Sequence, residues 1–386
     1  MMTPKQRFTA ALTHQKPDRL PVTTHHVMPY FLTKYMNGIS NDQFFADLGI
    51  DPIRWLLAYQ PDESKGEYYD PHHVPGYLEA HRVTSDTWRI EHEAIPDPRY
   101  ETIRYKFITP KKTLTTVLQS NEYTSWVSER LVKEKSDIDI IAKFAVKPKC
   151  DVAEVNKQAA EFGERGMFRG FVNSFDVYGQ PGCWQDASVL FGIEDLIMAT
   201  FEDPDWVNSF LNVMLERKKV FIQSMKGAQY DVIELGGGDA SSTVISPDIF
   251  DQFVAPYDSQ LIQLAHEAGQ RIVYHTCGGM MAFLERLADM KPDALETFTP
   301  ESMGGDTILA EAKERIGERV CMIGGFDQFH YFKGCTTEET RKAVRKCFEE
   351  AGSGGGYILC PSDHFFDADI ELLKAFADEA HKCVYQ

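Results

Sequence analysis

The stretch Val232–His275 reads VIELGGGDASSTVISPDIFDQFVAPYDSQLIQLAHEAGQRIVYH and contains a complete strand–helix–strand unit. Its two ends, Val232–Leu235 and Ile272–His275, are short apolar segments of the kind that forms strands. Between them, Ser246–Pro247 is a typical helix start, Gly269 is a typical helix end, and apolar residues recur at helical spacing. This order favours two parallel strands that are buried on both faces and joined by a crossover helix.

The same pattern extends over most of the chain. Helix starts such as Asp203–Pro204 and the capping box Thr336–Glu339 separate most of the apolar, strand-forming segments. We count eight of these segments: Leu20–Thr23, Ile53–Leu57, Met167–Val172, Val232–Leu235, Ile272–His275, Ala294–Glu296, Val320–Ile323 and Tyr357–Leu359. Eight alternating units predict an α/β fold in which residues 1–386 form a single (β/α)8 TIM barrel domain.

An insertion is expected at about residues 60–150, where the pattern changes. Four segments alternate polar and apolar residues with a period of two, which predicts a half-exposed antiparallel β meander: Trp88–Ile90, Thr102–Phe107, Leu114–Val117 and Ser125–Val127. We expect this antiparallel insertion to lie near the barrel mouth.

The charge balance excludes several classes of protein. The 386 residues carry 40 Lys and Arg against 58 Asp and Glu, a formal net charge of −18. Without basic clusters, neither nucleic-acid binding nor a polybasic membrane anchor is expected, and no apolar run is long enough to span a bilayer. We expect a cytoplasmic protein with no signal peptide, whose eight scattered cysteines form no disulfides. The sequence leaves the oligomeric state open, a homodimer included.

Catalytic groups of a TIM barrel are found where the strands end, at one mouth. His275 and Cys277 are two residues apart at such an end, so both side chains can face one metal ion. Imidazole and thiolate are preferred zinc ligands, and Cys360 at the end of the last strand is a candidate third ligand. Three protein ligands would leave one position open for substrate. The alternative is that these residues are core residues, since free cysteines are often buried.

Other strand-end residues offer weaker signals. Glu234 and Asp327 are carboxylates that could act as acid, base or metal partner, or could cap helices. The pair His25–His26 could bind metal or substrate, and Tyr59 and Tyr178 are expected near the mouth as substrate-binding residues. The glycine runs at 236–238 and 324–325 fit tight strand-to-helix turns better than phosphate loops.

Several motifs together resemble the uroporphyrinogen decarboxylase superfamily. They are Thr3–Phe8, Lys16–Val22, Ser246–Tyr257, Gly324–Asp327 and Gly355–Leu359. The resemblance covers nearly the whole chain and independently implies a TIM barrel. The superfamily includes porphyrinogen decarboxylases and zinc-dependent methyltransferases that act on corrinoids.

The motifs near the mouth resemble the methyltransferase branch. Decarboxylases carry an Arg-Gln-Ala-Gly-Arg segment after the first strand and an Asp after the second, whereas this chain has neither in Thr23–Tyr30 and Leu56–Tyr59. By contrast, His275–Gly278 resembles the His-x-Cys-Gly zinc motif of the methylcobamide:coenzyme M methyltransferase branch. That resemblance implies Zn²⁺ as cofactor and a corrinoid, or cobalamin, supplied free or on a partner corrinoid protein.

The third zinc ligand departs from the pattern of that branch. The position of its third cysteine is Asp363 here, while Cys360 lies just before Pro361. We favour Cys360 as the metal ligand and retain Asp363 and His364 as alternatives.

The sequence thus predicts a zinc-dependent methyltransferase that moves a methyl group between a corrinoid and a small thiol, methoxy or methylthio compound. Glu234 is expected either to contact the metal ligands or to be an exchangeable ligand itself, and Asp327 is expected to set the polarity of the mouth. Two other hypotheses remain: a uroporphyrinogen decarboxylase-like carboxy-lyase, and a non-catalytic corrinoid-binding module. Because the chain has no Asp-x-His-x-x-Gly corrinoid motif, any corrinoid would come from a partner.

Overall fold

Seven parallel strands form one continuous sheet, in a computed structural model that describes residues 1–386. The sheet order is β1-β10-β11-β12-β13-β14-β15, so each strand pairs with the next parallel strand along the chain. The strands are β1 (Ile53–Trp55), β2 (Tyr59–Gln60), β3 (Glu67–Tyr69), β4 (Val83–Ser85), β5 (Arg89–Ala94), β6 (Glu101–Ile108), β7 (Thr113–Ser120), β8 (Ser125–Glu129), β9 (Lys149–Cys150), β10 (Met167–Phe171), β11 (Val232–Gly236), β12 (Ile272–His275), β13 (Ala294–Thr297), β14 (Cys321–Phe326) and β15 (Tyr357–Pro361).

The first expected strand, Leu20–Thr23, is reduced to a single bridge between Val22 and Leu359. Leu359 N donates to Pro21 O and Thr23 N donates to Leu359 O, both at 2.9 Å, while Asp51 N donates to Val22 O at 2.8 Å. The segment therefore lies between β15 and the residues that precede β1. Val22 N donates to the Asp51 carboxylate rather than to a strand, and Pro21 has no N–H to donate. The result is a TIM-barrel-like α/β fold with seven regular strands.

Helices alternate with the parallel strands. They are α1 (Pro4–Leu12), α2 (Pro29–Tyr35), α3 (Asn41–Leu48), α4 (Asp137–Phe144), α5 (Val152–Phe162), α6 (Cys183–Phe191), α7 (Ile193–Glu202), α8 (Pro204–Ser224), α9 (Pro247–Ile249), α10 (Ala255–Glu267), α11 (Leu284–Asp289), α12 (Leu309–Ile316), α13 (Gln328–Tyr331), α14 (Thr337–Ala351) and α15 (Ile370–Lys382). The capping box expected at Thr336 and Glu339 is present, with both reciprocal hydrogen bonds. None of the helices combines the length and the apolar composition that crossing a membrane would require.

The antiparallel insertion expected at about residues 60–150 is present as the four-stranded meander β5-β6-β7-β8, with two small two-stranded sheets. Two contacts hold the insertion against the loop that follows β10. Trp88 Nε1 donates to Asp176 Oδ2 at 2.8 Å, and the Tyr178 hydroxyl donates to Ser125 O at 2.9 Å. The insertion therefore lies over the carboxyl ends of the barrel strands. All eight cysteines are free thiols.

Candidate active site

A cavity of about 650 Å³ lies between the carboxyl ends of the barrel strands and the insertion. Most of the residues singled out in the sequence line it: His25, His26, Tyr59, Tyr178, Glu234, His275, Cys277, Asp363 and His364. The barrel therefore brings together side chains that are up to 339 positions apart in the sequence, from His25 to His364.

His275 is oriented by a carboxylate on the neighbouring strand. Its Nδ1 lies 3.0 Å from Glu296 Oε1, and the two residues are paired in register between β12 and β13. A carboxylate accepts the Nδ1 proton, which leaves Nε2 as the nitrogen that can bind a metal. Burial opposes protonation of His275, but a hydrogen bond with Cys277 and the charge of Glu234 outweigh it and raise its pKa well above the usual value.

Cys277 is partly exposed to the cavity, and its thiol lies against a glycine of the turn after β11. A Cβ atom added at Gly238 would stand 2.8 Å from the Cys277 sulfur. This is shorter than a van der Waals contact, so the sulfur would have to move. The preceding Gly236 adopts φ +103°, and a Cβ there would stand 2.4 Å from the carbonyl oxygen of His275. The glycine run therefore lets this turn approach both predicted metal ligands.

Glu234 and Glu296 share one buried arginine. Arg169 Nη2 donates to Glu234 Oε2 at 2.7 Å and also to Glu296 Oε1. The guanidinium carbon lies 4.3 Å from the centre of the Trp55 ring, and the Arg169 side chain is almost completely buried. One guanidinium thus neutralises part of the charge of two carboxylates inside the barrel.

His25 completes this network. Its Nε2 lies 3.0 Å from Glu234 Oε2 and 3.1 Å from Glu296 Oε1. Burial lowers the pKa of His25, but the two carboxylates outweigh this effect and raise it. Burial by itself would raise the pKa of Glu296, but the charges of Arg169 and His25 hold it well below the usual value, so this carboxyl is ionised at neutral pH.

His26 and His364 stand beside His25, with their own ring centres 4.2 Å apart. Burial holds the pKa of His26 well below its usual value, and repulsion from His25 acts in the same direction. The same two causes, in the same order, lower the pKa of His364 to about 4. Both imidazoles are therefore neutral at physiological pH.

Two expected site residues lie outside the cavity lining. The Cys360 thiol is buried next to the backbone of His25, and burial raises its pKa, with the charge of Glu296 acting in the same direction. Asp327 caps α13: it accepts hydrogen bonds from His330 N at 3.0 Å and from Ser302 Oγ at 2.5 Å.

The outer part of the cavity is formed by the insertion and the loop after β10. Tyr59 and Tyr178 lie there, near Asp176, which accepts a 2.7 Å hydrogen bond from the buried Arg217. Burial raises the pKa of both tyrosines, so their hydroxyls are neutral groups. Arg82 is the only lysine or arginine that lines the cavity, and its guanidinium donates twice to Asp70.

Arg169 and Glu296 belong to the buried network beside the candidate site but were not predicted from the sequence. Each is a charged residue within a short, otherwise apolar strand, and both are almost fully buried. Since buried charges need partners, a charge in such a strand was an available signal. The pairing of Arg169 with Glu296 was not readable, because β10 and β13 do not neighbour each other in the sheet.

Comparisons with known proteins agree with the resemblance seen in the sequence. The uroporphyrinogen decarboxylase (URO-D) family matches residues 179–383. The methylcobamide:CoM methyltransferase MtaA of Methanosarcina barkeri is 29% identical over 146 residues, which are 38% of this chain and 41% of that protein. A uroporphyrinogen decarboxylase of Neisseria meningitidis is 26% identical over 188 residues, 47% of this chain and 50% of that protein.

The alignment thus spans half or less of the length of these curated relatives. A solved structure of a methyltransferase from Methanosarcina mazei has a similar fold over the whole chain. It superposes with a TM-score of 0.62 at 15% identity, covering 99% of both chains.

Proposed function

The chain belongs to the uroporphyrinogen decarboxylase (URO-D) family, and we propose from this premise that it is a zinc-dependent methyltransferase. It would transfer a methyl group between a corrinoid on a partner protein and a small thiol, methoxy or methylthio compound. The similarity to a methylcobamide:CoM methyltransferase supports this reaction class.

The observation that carries the proposal is the pairing of His275 with Glu296 beside the Cys277 thiol. A histidine that ligates a metal usually donates its second ring N–H to a carboxylate, and Glu296 Oε1 lies 3.0 Å from His275 Nδ1. His275 and Cys277 both line the cavity. One nitrogen and one sulfur are the donor types that zinc prefers, so these residues fit the ion.

Zinc held by His275 and Cys277 would lower the pKa of a bound thiol or polarise a bound methoxy or methylthio group. Within the chain, Glu296 holds the tautomer of His275. Gly238 leaves room for the Cys277 sulfur, where any side chain would displace it. Arg169 keeps the two nearby carboxylates ionised but partly neutralised.

The third ligand is proposed to be Glu234 or Cys360. Glu234 lines the cavity, and one of its oxygens belongs to a group of possible ligand atoms with His25, His275 and Glu296, all within 4.8 Å of one another. Cys360 offers a second sulfur, but from a buried position against His25. A Glu234→Gln variant and a Cys360→Ser variant distinguish the two, since only the true ligand should be needed for full zinc occupancy.

The cavity walls favour this reaction over decarboxylation of a porphyrinogen. A polycarboxylate substrate needs several cations, whereas Arg82, which already binds Asp70, is the only lysine or arginine of the lining. Four carboxylates line the same walls: Glu79, Asp176, Glu234 and Asp363. This balance suits a neutral or cationic small molecule.

The deciding experiment measures metal content and methyl transfer together. Chain purified without oxygen should contain zinc and should demethylate methylcobalamin with some member of a panel of small thiols, or methylate cob(I)alamin from a methoxy or methylthio compound. Cys277→Ser should lose zinc and activity, while Cys335→Ser, at another partly exposed thiol, should retain both. Full activity in Cys277→Ser, or release of carbon dioxide from a porphyrinogen, would refute the proposal.

A further inference from the structure

Three histidines meet on one wall of the cavity, beside the His275–Cys277 pair. His25 and His26 follow the bridge at Val22, and His364 follows β15, the strand to which that bridge pairs. The ring centres are 4.4 Å apart for His25 and His26, 4.2 Å for His26 and His364, and 5.7 Å for His25 and His364. One ring nitrogen of each residue lies within 4.8 Å of the other two.

Each of these three rings has a buried nitrogen that makes no hydrogen bond. It is Nδ1 in His25, His26 and His364 alike. The nearest carboxylate to His364 Nδ1, Asp363 Oδ1, lies 3.5 Å away. Since buried polar atoms in proteins are nearly always paired, three unpaired nitrogens in one cluster indicate that the cluster binds something.

The second nitrogen of His25 already has the partners that a metal ligand needs. Its Nε2 lies near Glu234 and Glu296, and such carboxylates fix the tautomer of a ligating imidazole and make it more basic. His26 and His364 are only partly buried and line the cavity, so an ion held by the three rings would still be open to a substrate. Three imidazole ligands suit Zn²⁺, Co²⁺ or Ni²⁺ better than Mg²⁺ or Ca²⁺.

We propose that His25, His26 and His364 form a second divalent transition-metal site, separate from the ligands of the proposed zinc centre. The two sites would share one cavity, because the ring centres of His25 and His275 are 5.0 Å apart. Glu234 is hydrogen-bonded to His25, and one of its oxygens lies within 4.8 Å of a ring nitrogen of His275. A substrate with two donor atoms could then contact both ions.

Cobalt titration of the full-length chain separates the two sites. Chelator-treated protein is dialysed against Co²⁺ without oxygen, and bound cobalt is counted by elemental analysis. Absorption reports the ligand type, because a thiolate bound to Co²⁺ gives a charge-transfer band in the near ultraviolet and an imidazole does not.

The variants are the double variant His26→Ala/His364→Ala and the single variant Cys277→Ser. The matched controls are His72→Ala, at an exposed histidine outside the cavity lining, and Cys335→Ser.

Wild type should bind two cobalt ions with the thiolate band. The double histidine variant should lose one ion and keep the band, while Cys277→Ser should lose the band and keep the ion of the histidine site. Circular dichroism and thermal melting of every variant check that the fold is retained.

An equal ion count in wild type and in a folded double histidine variant would overturn the second site, whatever happens at Cys277. Absence of the band in wild type, with one ion lost in the double histidine variant, would refute the proposed zinc centre and support the histidine site. The two failures are therefore distinguishable.

Discussion

Glu296 Oε1 lies 3.0 Å from His275 Nδ1 on the neighbouring barrel strand. The same oxygen also accepts a hydrogen bond from Arg169 Nη2 and lies 3.1 Å from His25 Nε2. One carboxylate oxygen thus links the proposed metal ligand to the buried charges of the barrel. Because Glu296 does not line the cavity, its effect on a bound metal would be exerted through His275.

Replacing Glu296 by Gln should weaken zinc binding by about 10- to 100-fold, since a neutral amide can accept the Nδ1 proton but makes His275 less basic than a carboxylate does. Competition with a chromophoric zinc chelator measures the affinity. Glu314→Gln, at an exposed position on α12, is the matched control and should bind zinc as wild type does. Unchanged affinity in Glu296→Gln would mean that the charge of Glu296 does not act on a bound metal through His275.

Gly238→Ala should act on the site through the Cys277 sulfur. The added Cβ would stand 2.8 Å from that sulfur, so the thiol must turn away while the backbone, which has no left-handed φ here, remains unstrained. We expect an unchanged melting temperature and zinc affinity lowered by about tenfold or more, as for other changes that misorient ligands. Gly76→Ala, on an exposed loop of the insertion, should change neither. Wild-type affinity in folded Gly238→Ala would show that the sulfur does not bind zinc from this position.

Arg169→Met should destabilise the fold strongly. The change removes the guanidinium that two buried carboxylates share, and breaking a buried ion pair from one side costs about 3–5 kcal/mol in the free energy of unfolding. Adding Glu296→Gln should restore part of this loss, because one of the stranded charges disappears. Urea unfolding of both single variants and the double variant measures the coupling. Additive effects would contradict the shared network.

The fold was predictable because its signal is local. Short apolar segments such as Val232–Leu235 identify buried parallel strands, and Thr336–Glu339 identifies a helix start, without any knowledge of distant contacts. Leu20–Thr23 carries the same apolar signal but forms only one bridge, because the Val22 N–H donates to Asp51, a residue 29 positions away. Such a long-range hydrogen bond cannot be read from strand propensity.

The cavity-lining residues were predictable where they follow the end of a barrel strand, because those ends meet at one mouth. His275 and Cys277 share one strand end, so their spacing alone brings both to the cavity. Arg169 and Glu296 meet across the barrel interior, a relationship that depends on how the sheet closes. Asp327 caps α13, one of the roles that the sequence left open, and its expected effect on the polarity of the mouth stays a prediction.

Asp258, on α10, makes the stability of the barrel depend on pH. Burial raises its pKa to about 6, although the Tyr274 hydroxyl donates to it at 2.8 Å and Cys183 N at 3.2 Å. The native state therefore holds a proton that the unfolded state has lost between about pH 4 and pH 6, so stability falls as the pH rises through this window. Above this window, ionisation of the buried carboxyl lowers the free energy of unfolding by about 3 kcal/mol relative to its value at low pH.

Asp258→Asn removes this ionisation and keeps the shape of the side chain. In urea unfolding, the variant should be more stable than wild type at pH 8, and the difference should shrink or reverse at pH 4, where the wild-type carboxyl is protonated in the native state. Asp248→Asn, at an exposed aspartate on α9, should show no such pH-dependent difference. A gap between Asp258→Asn and wild type that stays constant from pH 4 to pH 8 would show that Asp258 keeps an ordinary pKa in the folded barrel, and that Tyr274 and Cys183 stabilise its charge as well as water does.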